Sequence, residues 1–452
     1  MIGSTGYRLA LALGLAVTGA ALAMTACSSS DEGPPALLEA GTTEAGTPTT
    51  ADAATAVDAG PDAPASGDPC ATKKAVCPTA TTTEGSGLVA IDRCAFPLVE
   101  GSSFATYSPI IKALGAIAPA ATTAAVLADL NRTALASTAV PGGPAGVSLG
   151  FRWDAEDQAV TTWIPQGLTG SADATATGLL NGRRVVLVSW YYTPPTGSTY
   201  EKGVRLAVVD VTDPQSPTYR LVLLVEPTGT PQTPNFAPVV IHAGGLAWVG
   251  DFLYVVETGR GFRVFDLSRM MQVATDIDEI GCTTTTCHAG LYKYVVPQIG
   301  AYASTSECKP LFSYVSLDRS TTPPSLVSGE YCGGTACAST PLAGRVYRWP
   351  LDGITGRLPA GTSWPSEAFL LGEPQVQGAA SRKGVFYLSS SAPAGGGGTL
   401  YRVTAGKRVM STWLDAPEDL MVDETNGLLW GLSEAAGSRA VAGAKLTSYP
   451  AP

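Results

Sequence analysis

Apolar and polar positions divide the chain into three stretches of different character. Leu9 to Ala23 is almost uninterrupted apolar sequence behind Arg8, the length of a signal-peptide core and too short to span a bilayer. From Ser28 to about Asp68 no aromatic residue occurs, and Ala, Thr, Pro, Gly, Asp and Glu dominate. Such a stretch cannot bury enough apolar area to offset the entropy of ordering it, which predicts a disordered, acidic stalk. Beyond it the apolar residues fall in short runs separated by Gly, Pro, Asn and Asp, the pattern of strands joined by turns. The exception is Pro109 to Ser137, where Val126-Leu127-Ala128-Asp129-Leu130-Asn131-Arg132 has helical apolar spacing and predicts one or two small helices.

The strand-like runs repeat. Four segments open alike: Trp163-Ile164-Pro165-Gln166-Gly167-Leu168, His242-Ala243-Gly244-Gly245-Leu246-Ala247, Gln375-Val376-Gln377-Gly378-Ala379-Ala380 and Ala416-Pro417-Glu418-Asp419-Leu420-Met421. Each leads into a β-rich run (Arg184 to Tyr191, Phe252 to Glu257, Val385 to Ser389, Leu428 to Ser433) and then a third strand (Gly203 to Val211, Gly261 to Leu267, Thr399 to Val403, Ala444 to Tyr449). Leu311 to Ser316, Ser325 to Tyr331 and Gly344 to Trp349 supply a fifth unit of the same plan. Between Gly378 and Asp419 the spacing is 41 residues, which suits a four-stranded propeller blade, and the longer spacings carry inserted loops. The expectation is an all-β chain folded as a β-propeller of five blades, or six if Tyr292 to Tyr302 builds its own, with a small helical N-terminal extension. A sandwich or jelly roll is the alternative. Gln158 to Trp163 stands ahead of the first opening motif and is expected to complete the unit that the C-terminus leaves one strand short, locking the circle.

Composition adds the address. Met24-Thr25-Ala26-Cys27 resembles the bacterial lipobox, at which the cysteine is lipidated and becomes the mature N-terminus. The expected organisation is a lipoprotein signal peptide at 1–26, the stalk at 27–68, the extension with short helices at 69–150 and the propeller at 151–452. An exported protein tethered to the bacterial cell envelope through Cys27, at the outer membrane or cell surface, follows. The stalk would give the domain a reach of roughly 30 to 40 Å from the membrane. A formal charge of −10 with no basic cluster argues against nucleic acid as a partner; an envelope glycan or protein is the partner expected. Eight further cysteines in an exported chain imply disulfides. Cys282 with Cys287 and Cys332 with Cys337 are expected as local bridges, whereas Cys70, Cys77, Cys94 and Cys308 stay unassigned. The competing reading of Cys282, Cys287 and His288 as a metal site lacks a second ligand pair.

Pro165-Gln166-Gly167-Leu168-Thr169, Val188-Ser189-Trp190-Tyr191, His242 to Trp248, Arg263-Val264-Phe265-Asp266, Ser316-Leu317-Asp318-Arg319 and Glu418-Asp419-Leu420 together resemble a family of secreted bacterial propeller-like proteins. More distantly, the Gly-Leu openings are similar to those of NHL and gluconolactonase-like propellers. The resemblance spans about Phe151 to Tyr449 and implies the architecture without a reaction.

In a propeller the first strand of each blade lines the axial channel, which makes Gln166, His242, Gln377, Glu418 and Asp419 the convergent polar residues, with Asp318 and Arg319 close by. These positions suit ligand binding, or equally hydrogen bonding to neighbouring backbone. His242, one of two histidines, is the candidate general base, paired with Glu418 or Asp419. Gln166, Glu418 and Asp419 are alternatively a calcium-binding set of the kind the gluconolactonase-like resemblance implies, although the Asn-rich set of those enzymes is missing. Glu257 and Glu434 are weaker rim candidates. Trp190, Tyr191, Tyr192, Trp248, Trp349, Trp364, Trp413 and Trp430 either fill the wedge between blades or stack on sugars at a channel mouth. Two functions stay open: a non-catalytic ligand- or protein-binding propeller, and a lactonase-like or sugar-acting hydrolase or lyase using the channel residues, with calcium.

Overall fold

Strands such as Val185–Tyr192, with the sequence VVLVSWYY, are apolar at nearly every position because both faces of the sheet are covered. Val186, Val188 and Trp190 point into one hydrophobic cluster and Val185 and Leu187 into the next. A sheet buried on both faces must be one wall of a stack, and a stack that closes on itself is a propeller. The computed structural model of the chain, which describes residues 67–333, 344–394 and 397–452, has this architecture. The segment expected as a signal peptide, Cys27, nearly all of the expected stalk and Cys337 lie outside the described residues.

Among the described residues, five antiparallel four-stranded units follow one another. Unit one is Trp163–Gly170, Val185–Tyr192, Val204–Asp210 and Thr218–Thr230; unit two is Leu246–Val249, Phe252–Glu257, Gly261–Asp266 and Tyr294–Ser304. Unit three is Phe312–Asp318, Ser325–Glu330, Arg345–Pro350 and Glu367–Leu370; unit four is Val376–Arg382, Val385–Ala394, Gly397–Thr404 and Lys407–Thr412. Unit five is Pro417–Asp423, Leu428–Ser433, Val441–Lys445 and, as its fourth strand, Val147–Arg152. The five inner strands touch their neighbours in turn, including the last with the first. Five hydrophobic clusters fill the five gaps between units, with Trp190 and Trp430 between five and one, Trp248 between one and two, Trp349 between two and three and Trp413 between four and five, all fully buried. The recurrent tryptophans are therefore core; Trp364 alone of that group is only half-buried at a crevice wall.

Two expectations are corrected. The circle is closed by Val147–Arg152 pairing with Val441–Lys445, whereas Gln158 sits in the short helix Ala155–Ala159 and Trp163 begins the first inner strand. The Asp154 side chain caps that helix by accepting a hydrogen bond from the Asp157 N–H at 2.8 Å, which ends the extended run before Gln158. Tyr294–Ser304 is the fourth strand of unit two rather than a blade of its own. The helices of the extension are Ser103–Leu114 and Thr123–Leu127, and Arg132, assigned to helix by its spacing, pairs as a strand with unit one.

The extension is a belt. Gly87 and Leu88 bridge to Ala405 of unit four, Val89–Ala90 pairs with unit three, and Leu98–Glu100 pairs with unit two. Ser103–Leu114 packs across the outer strands of units two and one, Arg132–Thr133 pairs with unit one, and Leu135–Ala136 pairs with the closing strand of unit five. One continuous segment thus meets every unit in turn and occupies outer strand edges that would otherwise be open to pairing with other chains. Cys77–Cys308 ties the start of the belt to the loop that leads into unit three, and Cys70–Cys94 closes a loop within it. Cys282–Cys287 is the local bridge expected from spacing; with both sulfurs consumed, the metal reading of that motif fails, and His288 Nε2 instead lies 3.1 Å from Asp276 Oδ1.

Candidate functional site

The opening glycines exist because the ring is tight at its axis. A Cβ on Gly245 would fall 2.1 Å from the Val315 nitrogen, and one on Gly378 would fall 2.6 Å from the Asp419 Cα. Side chains are excluded at these positions, so each strand must send its polar group out one residue earlier. A register irregularity does this in units one, three, four and five, between Pro165 and Leu168, Phe312 and Tyr314, Val376 and Gly378, and Pro417 and Leu420. Such bulges re-aim side chains. The residues they carry are Gln166, Ser313, Gln377 and Glu418. Pro165-Gln166-Gly167-Leu168 and Pro417-Glu418-Asp419-Leu420 are equivalent in register, so unit five places Asp419 where units one, two and four hold glycine, and unit three holds Tyr314 there.

Asp419 is a clasp at the axis. Its Oδ2 accepts hydrogen bonds from the backbone N–H of Leu168 at 3.0 Å and of Leu246 at 3.1 Å, joining unit five to units one and two. Oδ1 is buried and unpartnered. Complete burial drives this carboxyl well above the usual range, which those backbone donors only partly oppose.

Glu418 faces the mouth beside it. It is 4 % exposed, no group among the described residues donates a hydrogen bond to it, and its oxygens are not among the unpartnered atoms that the fold seals from solvent. Burial, then the neighbouring carboxylates of Glu434 and Asp419, raise its pKa well above normal. Glu434 receives the Gln166 side-chain N–H at 2.7 Å and is itself raised by burial. Tyr331, at the end of the second strand of unit three, is pushed up first by burial and then by Glu418 and Glu434. The mouth therefore holds two carboxyls of unlike environment, one anchored by an amide and one without a partner, with a phenol in their field.

His242 lies at the same end, in the loop four residues before the inner strand of unit two. It is exposed, with its ring 4.4 Å from that of Tyr191. The protein walls around it lower its pKa although part of the side chain reaches solvent. No hydrogen bond joins it to Glu418 or Asp419, so the pairing expected for a general base is not assembled. Asp318 and Arg319 are at the opposite end of the channel. Asp318 is buried against Arg348 at 2.8 Å, and Arg319 donates to the carbonyl of Asp173. Gln377 is half-buried in its bulge, and Glu257 is taken up by Arg263 at 2.9 Å. Among the described residues no three His, Cys, Asp or Glu side chains gather as a metal site, and the Gln166 amide is turned toward Glu434, which does not fit the expected calcium set.

Two groups escaped the sequence reading. In sequence Tyr331 reads only as the end of a strand, yet the second strands of units three and five both return to the mouth, so the residues that follow them, Tyr331 and Glu434, belong with the openings. Asp173, buried at the far end, receives the Thr169 hydroxyl at 2.8 Å on one oxygen and nothing on the other, and burial pushes it up to about 8. A crevice of about 260 Å³ between the two N-terminal disulfides, lined by Lys73, Glu307 and Trp364 among others, contains none of the candidate residues.

No protein-family model and no curated protein matches the chain. Among solved structures, a structural genomics protein of unknown function from Bacteroides thetaiotaomicron is similar at 13% identity over 69% of this chain and 76% of its own, with a TM-score of 0.30. A Xanthomonas campestris protein described as a gluconolactonase aligns at 13% identity over 70% of this chain and 90% of its own, TM-score 0.25. A GH43_1 enzyme from Xanthomonas citri aligns at 7% identity over 75% and 93%, TM-score 0.29.

Proposed function

We propose that this chain is an exported, envelope-tethered binding protein whose axial mouth takes up a polar ligand from a glycan or protein of the envelope. The observation that carries the reading is Glu418, a buried carboxyl with no hydrogen-bond donor, set in a backbone bulge beside the amide-anchored Glu434. The Glu418 oxygens are not sealed from solvent, so a ligand that supplies a donor there replaces water on a carboxyl the protein leaves free, and a hydrogen bond to a charged group is worth about 1.5–3 kcal/mol. The signal-like N-terminus, the lipobox-like Cys27 and three disulfides among the described residues support an oxidising, exported setting.

The test is calorimetric titration of the purified protein with envelope glycan and peptide fractions, beside Glu418→Gln and Arg319→Ala. A ligand weakened at least tenfold by Glu418→Gln and unaffected by Arg319→Ala is the expected result; equal binding to all three proteins would move the site off the mouth.

A second reading has one observation in its favour. Two carboxyls with different surroundings divide into an acid and a base, with the partnerless Glu418 as the acid and Glu434, held by the Gln166 amide and in the field of Arg439, as the base of a hydrolase. Turnover of a lactone or glycoside that survives Glu418→Gln would end it.

A further inference from the structure

Glu418 and Glu434 follow the paired residues Pro417 and Ser433 of unit five, and the Glu434 N–H donates to the Ala416 carbonyl at 3.1 Å, which sets the two carboxyls at one strand end. The one guanidinium behind them, Arg439, spends its donors on backbone carbonyls: Nε on Glu434 O at 2.9 Å, one terminal nitrogen on Asp157 O at 2.8 Å and the other on Trp163 O at 2.9 Å. No salt bridge joins either glutamate to a Lys or Arg among the described residues. Gln166 supplies a single neutral donor to the pair, and Glu418 has none. Tyr331 lies in the field of both carboxyls, and at the same end of the ring Tyr191 and His242 stand 4.4 Å apart with their rings tilted by 35°. Carboxylate oxygens lacking donors, beside aromatic rings, are the recognition chemistry of an organic ammonium. A divalent ion would ask for more oxygen ligands than two carboxyls supply.

Resting on the reading of the mouth as a binding site, we infer that its ligand carries a primary ammonium group, which docks between Glu418 and Glu434. The groups that set the charge state of Glu418 are Glu434, Asp419 and Tyr331, with Arg439 behind Glu434. In the free protein, burial and then the neighbouring carboxylates push Glu418 toward its protonated form. An incoming ammonium favours the ionised form, so binding releases that proton, and affinity rises with pH by up to about tenfold per unit until Glu418 is ionised in the free protein as well.

Calorimetry on the purified protein tests this with four probes: glucosamine, glucose, putrescine and calcium chloride, each in two buffers of different ionisation enthalpy. Glucosamine or putrescine binding with release of close to one proton, and glucose at least tenfold weaker than glucosamine, is the expected result. Glucosamine binding alone points to an amino sugar, and putrescine binding alone to a polyamine or lysine-like amine. Glu418→Gln should weaken the ammonium probe about tenfold to a hundredfold and abolish the proton release. Glucose and glucosamine binding equally, both lost in Glu418→Gln, would keep the mouth as a site and overturn the ammonium. Calcium binding more tightly than either amine would overturn it too. No binding by any probe, together with an envelope ligand indifferent to Glu418→Gln, would remove the site itself. The proton count on the unaltered protein does not depend on the variant folding.

Discussion

Asp419→Ala is the sharpest test of how the ring is held together. Removing the carboxylate leaves the backbone N–H groups of Leu168 and Leu246 buried without an acceptor, where each now makes a bond of 3.0 or 3.1 Å. At about 1–3 kcal/mol for each stranded donor, the loss is about 2–6 kcal/mol, a large share of the roughly 5–15 kcal/mol by which folded domains are stable. Asp419→Asn keeps an acceptor oxygen in the same place and removes only the ionisable group. Because burial raises the folded pKa of Asp419 above its unfolded value, its favourable contribution is complete below the unfolded pKa and is lost as pH rises through the folded one. Asp419→Asn should therefore gain on the parent as pH rises above the unfolded pKa of the aspartate. Urea unfolding followed by tryptophan fluorescence, with disulfides intact and the denaturant slope unchanged, measures both. A cost below about 1 kcal/mol for Asp419→Ala would show that the two N–H groups find other partners. Asp419→Asn as damaging as Asp419→Ala at every pH would mean that the charge, and not the acceptor, holds the axis.

Three further outcomes follow from the same structure. The whole domain should lose stability as pH rises from about 5 to 8, since Glu373 is raised to about 7 and Asp173 to about 8, both chiefly by burial; a melting temperature that climbs over this interval would contradict the burial argument. Gly245→Ala should cost about 3 kcal/mol or prevent folding, because the clash is with the Val315 and Tyr314 backbone. Gly384→Ala, in an open turn at φ +80°, should cost only about 1–2 kcal/mol, and equal effects at the two sites would refute the close-approach reading. Replacing Cys77 and Cys308 by serine, which opens a loop of sequence separation 231, should cost up to about 5 kcal/mol in chain entropy, against about 2 kcal/mol for Cys282–Cys287 with separation 5. Thermal unfolding of the two double mutants should show that order, and the reverse order would mean that the belt holds without its anchor.

Local pattern alone determined a good deal about this protein. Strands such as Phe252–Glu257 and Leu428–Ser433 were legible to the residue, because runs apolar on both faces bounded by turn residues have few other ways to be buried. The repeated opening motif carried the unit plan, and the short spacing of Cys282 and Cys287 carried their bridge. Tertiary structure decided whatever depends on residues far apart in the chain. The closing strand is Val147–Arg152 because it meets Val441–Lys445, a pairing across nearly the whole domain that no local pattern encodes. Cys77 meets Cys308 for the same reason, brought there by a belt whose short strands carry too few residues to show a period. At the axis, sequence named Gln166, His242, Glu418 and Asp419 together, but a tight ring gives each position a different task. Backbone contact excludes side chains at Gly245 and Gly378, Asp419 is consumed by two amides, and His242 is left at the rim. Of these four only Glu418, displaced by its bulge and met by Glu434 and Tyr331 from the second strands of units five and three, keeps a carboxyl without a partner, because burial and neighbours are properties of the assembled ring rather than of any one segment.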